Sequence, residues 1–112
     1  MSKTVREIER LAGLLEGEGH FRWDRRPEIS VQMNDRDVIE WAGKVLGAKR
    51  VLGPYRYGKR SPNYIVKVYG VLAAGWMMTL YSLLGLRRKA QIRKALARWK
   101  KQRTVMGRHF HR

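Results

Sequence analysis

Apolar positions between residues 4 and 17 recur at helical spacing, as Val5, Ile8, Leu11, Ala12 and Leu15. Thr4 stands as an N-cap with Glu7 three residues on as its capping-box partner, and Gly17 and Gly19 end the run. The period then changes to two. Phe21 and Trp23 share one face, and His20, Arg22 and Asp24 the other; Arg25-Arg26-Pro27 makes a turn. Residues 28–33 alternate again, with Ile29, Val31 and Met33 inward and Glu28, Ser30 and Gln32 outward, completing a hairpin. Asp35 caps a second helix over about 36–46, which packs through Val38, Ile39, Ala42, Val45 and Leu46 and closes at Gly47. Residues 49–57 and 63–69 flank the turn-like Gly58-Lys59-Arg60-Ser61-Pro62 and predict a second hairpin. An apolar helix follows at 71–84, with Trp76, Met77, Met78, Leu80 and Leu83 assigned to the core. A basic amphipathic helix spans 87–101, with Ile92, Ala95, Leu96 and Trp99 as its apolar stripe. Residues 102–112 show no periodicity and are expected to fray. The order helix, hairpin, helix, hairpin, helix, helix predicts an α+β layer with helices on one face of a four-stranded sheet whose other face is polar and basic. The domain is expected over 1–101, followed by a basic tail at 102–112.

One stretch admits a different reading. Val68 to Leu86 carries no charge between Lys67 and Arg87-Arg88, long enough for a bilayer span. Its glycines, Thr79, Ser82 and tyrosines, and a start that continues the strand pattern, favour a buried helix instead.

Charge sharpens the picture. The 112 residues hold 25 Lys+Arg and 9 Asp+Glu, a formal net charge of +16. All nine acids fall within the first forty positions, beside seven Lys/Arg; positions 41–112 hold eighteen Lys/Arg and no acid. A surface without counter-charge suits a polyanion, and the basic residues are interleaved with Tyr55, Tyr57, Tyr64, Tyr69 and Trp99 rather than gathered at the end. The absence of cysteine excludes a disulfide scaffold, a Cys-ligated zinc finger and an iron–sulfur protein. His109 and His111 are too few for a zinc site. Residues 1–10 show no hydrophobic run, so no signal peptide is expected, and the chain is placed inside the cell.

Residues 11–19 read Leu-Ala-Gly-Leu-Leu-Glu-Gly-Glu-Gly. Gly13 and Gly17 lie four apart, one above the other on a helix. Each costs about 1 kcal/mol relative to alanine, a cost suited to close approach by a second, similar helix. Glu16 and Glu18 stand at the helix C-terminus, where the macrodipole disfavours anions by roughly 0.3–1 kcal/mol. Acids set against the dipole on a basic chain suit a hard cation such as Mg²⁺, which takes one or two carboxylates and phosphate oxygens. Two copies packed through their glycines would bring two Glu18 side chains together.

This run resembles the signature of the LAGLIDADG homing endonucleases. Leu11, Ala12, Gly13, Leu14 and Gly19 match its letters, while Leu15, Glu16, Gly17 and Glu18 replace Ile, Asp, Ala and Asp. The resemblance covers nearly the whole chain, through the shared order of elements. It implies an αββαββα unit with a saddle-shaped, four-stranded antiparallel sheet over the DNA major groove. It implies a homodimer joined through Leu11, Ala12, Gly13, Leu14 and Gly17, acting on a palindromic or near-palindromic site with Mg²⁺ or Mn²⁺. Glu18 becomes the metal ligand and the catalytic carboxylate. Gln32 is the polar residue near the nucleophilic water, and Lys67 the basic helper; the family's usual position for that lysine falls nearest Val71. DNA contacts are assigned to His20, Arg22, Asp24, Ser30, Gln32, Arg50, Arg56, Lys59, Arg60 and Lys67, with Arg22 best suited to guanine. A binding module on the same fold, either a DNA-binding regulator or an intron-RNA maturase, and a small basic membrane protein remain the alternatives.

Overall fold

The computed structural model describes residues 3–56 and 58–110, with side chains as far as Arg103. Tyr57, His111 and the side chain of His109 lie outside the described groups. The first helix, α1 (Val5–Glu18), begins at the expected capping box: the Glu7 N–H donates to Thr4 Oγ1 at 3.1 Å, and the Thr4 N–H to Glu7 Oε1 at 3.2 Å. The Thr4 N–H and the Thr4 hydroxyl, both donating to Glu7 Oε1, hold the Glu7 carboxyl below its ordinary pKa range. α1 continues through Gly17 and turns at once into β1 (Gly19–Trp23). A Cβ at Gly19 would stand 2.7 Å from Leu15 Cδ2 and 2.8 Å from the Leu15 carbonyl oxygen, so glycine permits the abrupt change from helix to strand.

β2 (Pro27–Met33) pairs antiparallel with β1 from Gly19↔Val31 to Trp23↔Pro27. α2 (Arg36–Leu46) is capped by Asp35 and ends in Gly47, whose φ of +83° suits glycine; the N–H groups of Gly47 and Ala48 both donate to the Gly43 carbonyl. β3 is short, Leu52–Tyr55, instead of filling 49–57. Gly53 has φ +112° and Pro54 lacks an N–H, so the ladder with β4 (Asn63–Tyr69) is irregular between the pairs Leu52↔Ile65 and Tyr55↔Asn63. β4 pairs with β2 from Glu28↔Tyr69 to Met33↔Tyr64, giving one antiparallel sheet in the order β1-β2-β4-β3.

α3 (Gly70–Leu80) is followed by a 3₁₀ turn at Tyr81–Leu83 and by α4 (Leu86–Phe110), which lies along β1. α4 continues past 101, where the apolar pattern stops. Periodicity reports packing, and a helix that outruns the core needs only its own backbone bonds and good helix formers such as Lys, Gln and Arg. No described helix is long and apolar enough to cross a membrane.

The helices cover one face of the sheet. Leu11, Leu15, Ile39, Leu46, Met77, Leu80 and Ile92 meet Phe21, Ile29, Val31, Val66 and Val68 in one core. Trp76 half-enters it, its Nε1–H donating to the Leu46 carbonyl at 2.9 Å. Met78 and Leu83, expected inside, are 57% and 46% exposed. A wholly apolar stretch carries no periodicity to say which side faces the sheet.

Candidate nucleic-acid and metal site

Two structural contacts fix the foot of α1. Glu16 Oε1 accepts from the Gly85 N–H at 2.5 Å, which makes this acid a structural group. Arg88 is 4% exposed; its Nε donates to the Glu16 carbonyl at 3.0 Å and its Nη1 to Gln91 Oε1 at 3.2 Å. A cation here meets both the unpaired carbonyls and the negative end of the helix. Glu18, the last residue of α1, is exposed and has no hydrogen-bond or ion-pair partner among the described residues. The two acids that look alike in sequence therefore differ: one is anchored, the other is free. A free carboxylate at a rigid helix end fits a divalent cation, and one chain supplies only one such group among the described residues.

From Glu18 the sheet opens outward. Its outer face carries the row His20–Ser30–Lys67 across β1, β2 and β4, and the next row Arg22–Glu28–Tyr69. Gln32 lies one position beyond the pair Gly19↔Val31, at the Glu18 end of the sheet. Of the three residues assigned to catalysis, Glu18 and Gln32 thus share one end. Lys67 stands in the His20 row, one row along from Gln32 and two strands across from β1, about 10 Å away by strand spacing. Arg88 is a basic residue hydrogen-bonded to α1's foot, because the loop before α4 returns to that helix end.

Glu28, expected as a solvated outward residue, is 2% exposed. It accepts a hydrogen bond and ion pair from Arg22 Nε, which holds Arg22 charged by raising its pKa. The Arg22 side chain remains 54% exposed. Its Nε is therefore fixed while much of the side chain stays open to solvent, an arrangement that suits bidentate recognition. Arg26 lies over the Tyr69 ring at 4.2 Å, extending the row. Glu28 is the one carboxylate among the described strand residues, and its charge is matched by Arg22. Asp24 falls in the turn after β1 rather than on the strand face, because β1 ends at Trp23. Arg50 joins Arg26, Lys49, Lys67 and Tyr69 around a cleft of about 550 Å³. Arg56, Lys59 and Arg60 are exposed between β3 and β4.

Glu28 and Arg88 were not legible as site residues. Arg88 had a signal: it stands four residues before Ile92, in line with Ala95 and Trp99 on the buried stripe of α4. Glu28 had none, since its burial depends on the cross-strand partner.

Comparison with solved structures places this architecture. An archaeal intron-encoded homing endonuclease, I-Vdi141I, complexed with DNA superposes with a TM-score of 0.56 at 17% identity, over 74% of this chain and 60% of that one. A group I intron-encoded homing endonuclease, I-CeuI, also complexed with DNA, gives 0.55 at 15%, over 82% and 53%. The crystal structure of a homing endonuclease, I-TnaI, gives 0.53 at 15%, over 83% and 69%. The chain has the LAGLIDADG homing-endonuclease fold. It spans 60% and 53% of the lengths of the first two. No protein-family model and no curated protein matches the sequence.

Within this LAGLIDADG fold, the five residues assigned to a helix seam divide. Leu11 and Ala12 are buried in this chain's own core, at 0% and 3% exposure, because they lie on the side of α1 that faces the sheet. Leu14 is half-buried, while Gly13 and Gly17 are exposed, with no other group within 4 Å of a Cβ at either position.

Proposed function

We propose that this chain is a site-specific DNA endonuclease of the homing type, acting as a homodimer on a palindromic or near-palindromic site inside the cell. The observation that carries the reading is Glu18: an unpartnered carboxylate at an anchored helix end, beside a sheet face whose strands hold no uncompensated acid. Glu18 would hold Mg²⁺ or Mn²⁺ together with DNA phosphate oxygens and the same residue of a second copy. When bound, such a cation supplies charge stabilisation and a water of lowered pKa for phosphodiester hydrolysis. The chain's own residues do the rest. Gly13, Leu14 and Gly17 give the second α1 a close, small-residue contact. Arg88 and Glu16 keep the helix end in place. Gln32 offers an amide to position water at the Glu18 end of the sheet. Arg22, held by Glu28, reads a guanine, while Arg50, Arg56, Lys59, Arg60 and Lys67 take phosphates.

Selection of cleaved sequences from a randomised palindromic library with Mg²⁺ tests activity, symmetry and target together. A recovered palindrome, with cutting abolished in Glu18→Gln, is the expected result. Tight binding without cutting in Mg²⁺ or Mn²⁺ would instead make the chain a binding module on the same fold.

A further inference from the structure

α4 carries cations on both flanks, and the structure uses the two flanks differently. On one, Arg93 donates to the Tyr81 hydroxyl at 2.6 Å, Lys89 lies over the Tyr81 ring at 5.5 Å, and Arg103 lies over Trp99 at 4.8 Å. These charges are engaged within the chain. On the other flank, Arg87, Gln91, Lys94, Arg98 and Lys101 follow the spacing of four and three that keeps residues on one face. The four cations of this stripe are exposed and form no hydrogen bond or ion pair among the described residues. From 87 to 101 the stripe is about 21 Å long, roughly the rise of six base pairs.

The stripe is also joined to the sheet. A cleft of about 500 Å³ runs between β1 and α4, lined by His20 and Arg22 from the outer face and by Gln91, Lys94 and Arg98 from the helix. No acid lines it. Its flexible cations suit phosphate oxygens, while its aromatic residues, Phe21 and Trp23, are buried and half-buried and so closed to base stacking.

Resting on the DNA reading above, we infer that the free flank of α4 is a second DNA-binding surface. It takes the sugar-phosphate backbone of the duplex beside the bases that the sheet reads. Its contribution is affinity and footprint, not sequence choice.

The test is the salt dependence of binding by the full chain to a mixed-sequence DNA duplex, followed by fluorescence anisotropy. Lys94→Gln/Arg98→Gln removes the two cations of the cleft. Arg6→Gln/Lys44→Gln removes equal charge from exposed positions of the helix layer, α1 and α2. The stripe variant is expected to lower the slope of log K against log salt by about 1.8 per subunit, at roughly 0.9 per lost phosphate contact, with the control nearly unchanged. Equal slopes for the stripe variant and wild type, or equal losses in both variants, would overturn the inference while leaving DNA binding by the sheet intact. Failure of the wild-type chain to bind any duplex, or preference for RNA over DNA, would overturn the underlying reading and this inference with it.

Discussion

Replacing Arg88 by alanine tests whether the foot of α1 is held by one buried cation. The guanidinium donates to the Glu16 carbonyl at 3.0 Å and to Gln91 at 3.2 Å from a site that is 4% exposed. Loss of a hydrogen bond from a charged donor costs about 1.5–3 kcal/mol. Loss of a cation at a helix C-terminus adds about 0.3–1 kcal/mol. Alanine also forfeits the packing of the aliphatic stem. Against these, removal relieves the desolvation of a buried charge whose partners here are neutral. The balance is a destabilisation of about 2 kcal/mol, which for a domain of this size lowers Tm by about 8 °C. Thermal unfolding by circular dichroism reads the stability. Cleavage and binding, measured below the new Tm, read the consequence for Glu18, and cleavage is expected to fall further than binding. Arg88→Lys keeps the charge but not the forked donors, and should lie between. An alanine variant within about 0.5 kcal/mol of wild type, the range of an ordinary surface change, would refute the anchoring role.

Glu18→Gln removes a charge beside phosphate, so gel-shift affinity should hold or rise while cleavage disappears; full cutting would remove Glu18 from the chemistry. Gly13→Ala has room in the single chain and should stabilise an isolated subunit by about 0.5–1 kcal/mol. Gly13→Leu should block dimerisation, and sedimentation still showing a dimer would place the seam elsewhere. Glu28→Ala frees Arg22, so discrimination at a single guanine should weaken, by up to the 1–3 kcal/mol worth of a bidentate pair. The same variant in an Arg22→Ala background should change nothing further, and an equal loss for all four bases would make the pair merely structural. Because Glu7 has a lowered pKa, its capping contribution is full above the ordinary carboxylate range and lost as pH falls through the lowered value. The helicity difference between Glu7→Ala and wild type should therefore shrink in strong acid, and one that persists undiminished would detach the cap from the carboxylate's charge.

The parts of the fold legible in sequence are those decided by neighbours along the chain. The Thr4–Glu7 box, the Asp35 cap and the inward set Phe21, Ile29, Val31 and Met33 each depend on a spacing of two to four residues. The shortening of β3 was also written locally, in Gly53-Pro54, although the Val/Tyr content around it favours a longer strand. For the candidate site, the sequence singled out Glu18 as an acid that opposes the helix dipole. Glu16 shows the same violation and is nevertheless a structural group, because the loop carrying Gly85 returns to meet it from far along the chain.

By itself, the sequence determined the order of helices and strands, which strand faces turn inward, the glycine-lined acidic run, and the segregation of charge that makes a polyanion the expected partner. These follow from the 3.6- and 2-residue periods and from side-chain chemistry, which need no distant partner. Tertiary structure alone decided which of the two acids stays free, which arginine is buried beneath the helix end, and that Glu28 holds Arg22. It also decided which flank of α4 keeps its cations unpaired. Each of these is a contact between residues brought together by strand pairing or by α4 folding back along β1. Burial and pairing are properties of neighbours in space, and the linear pattern does not contain them.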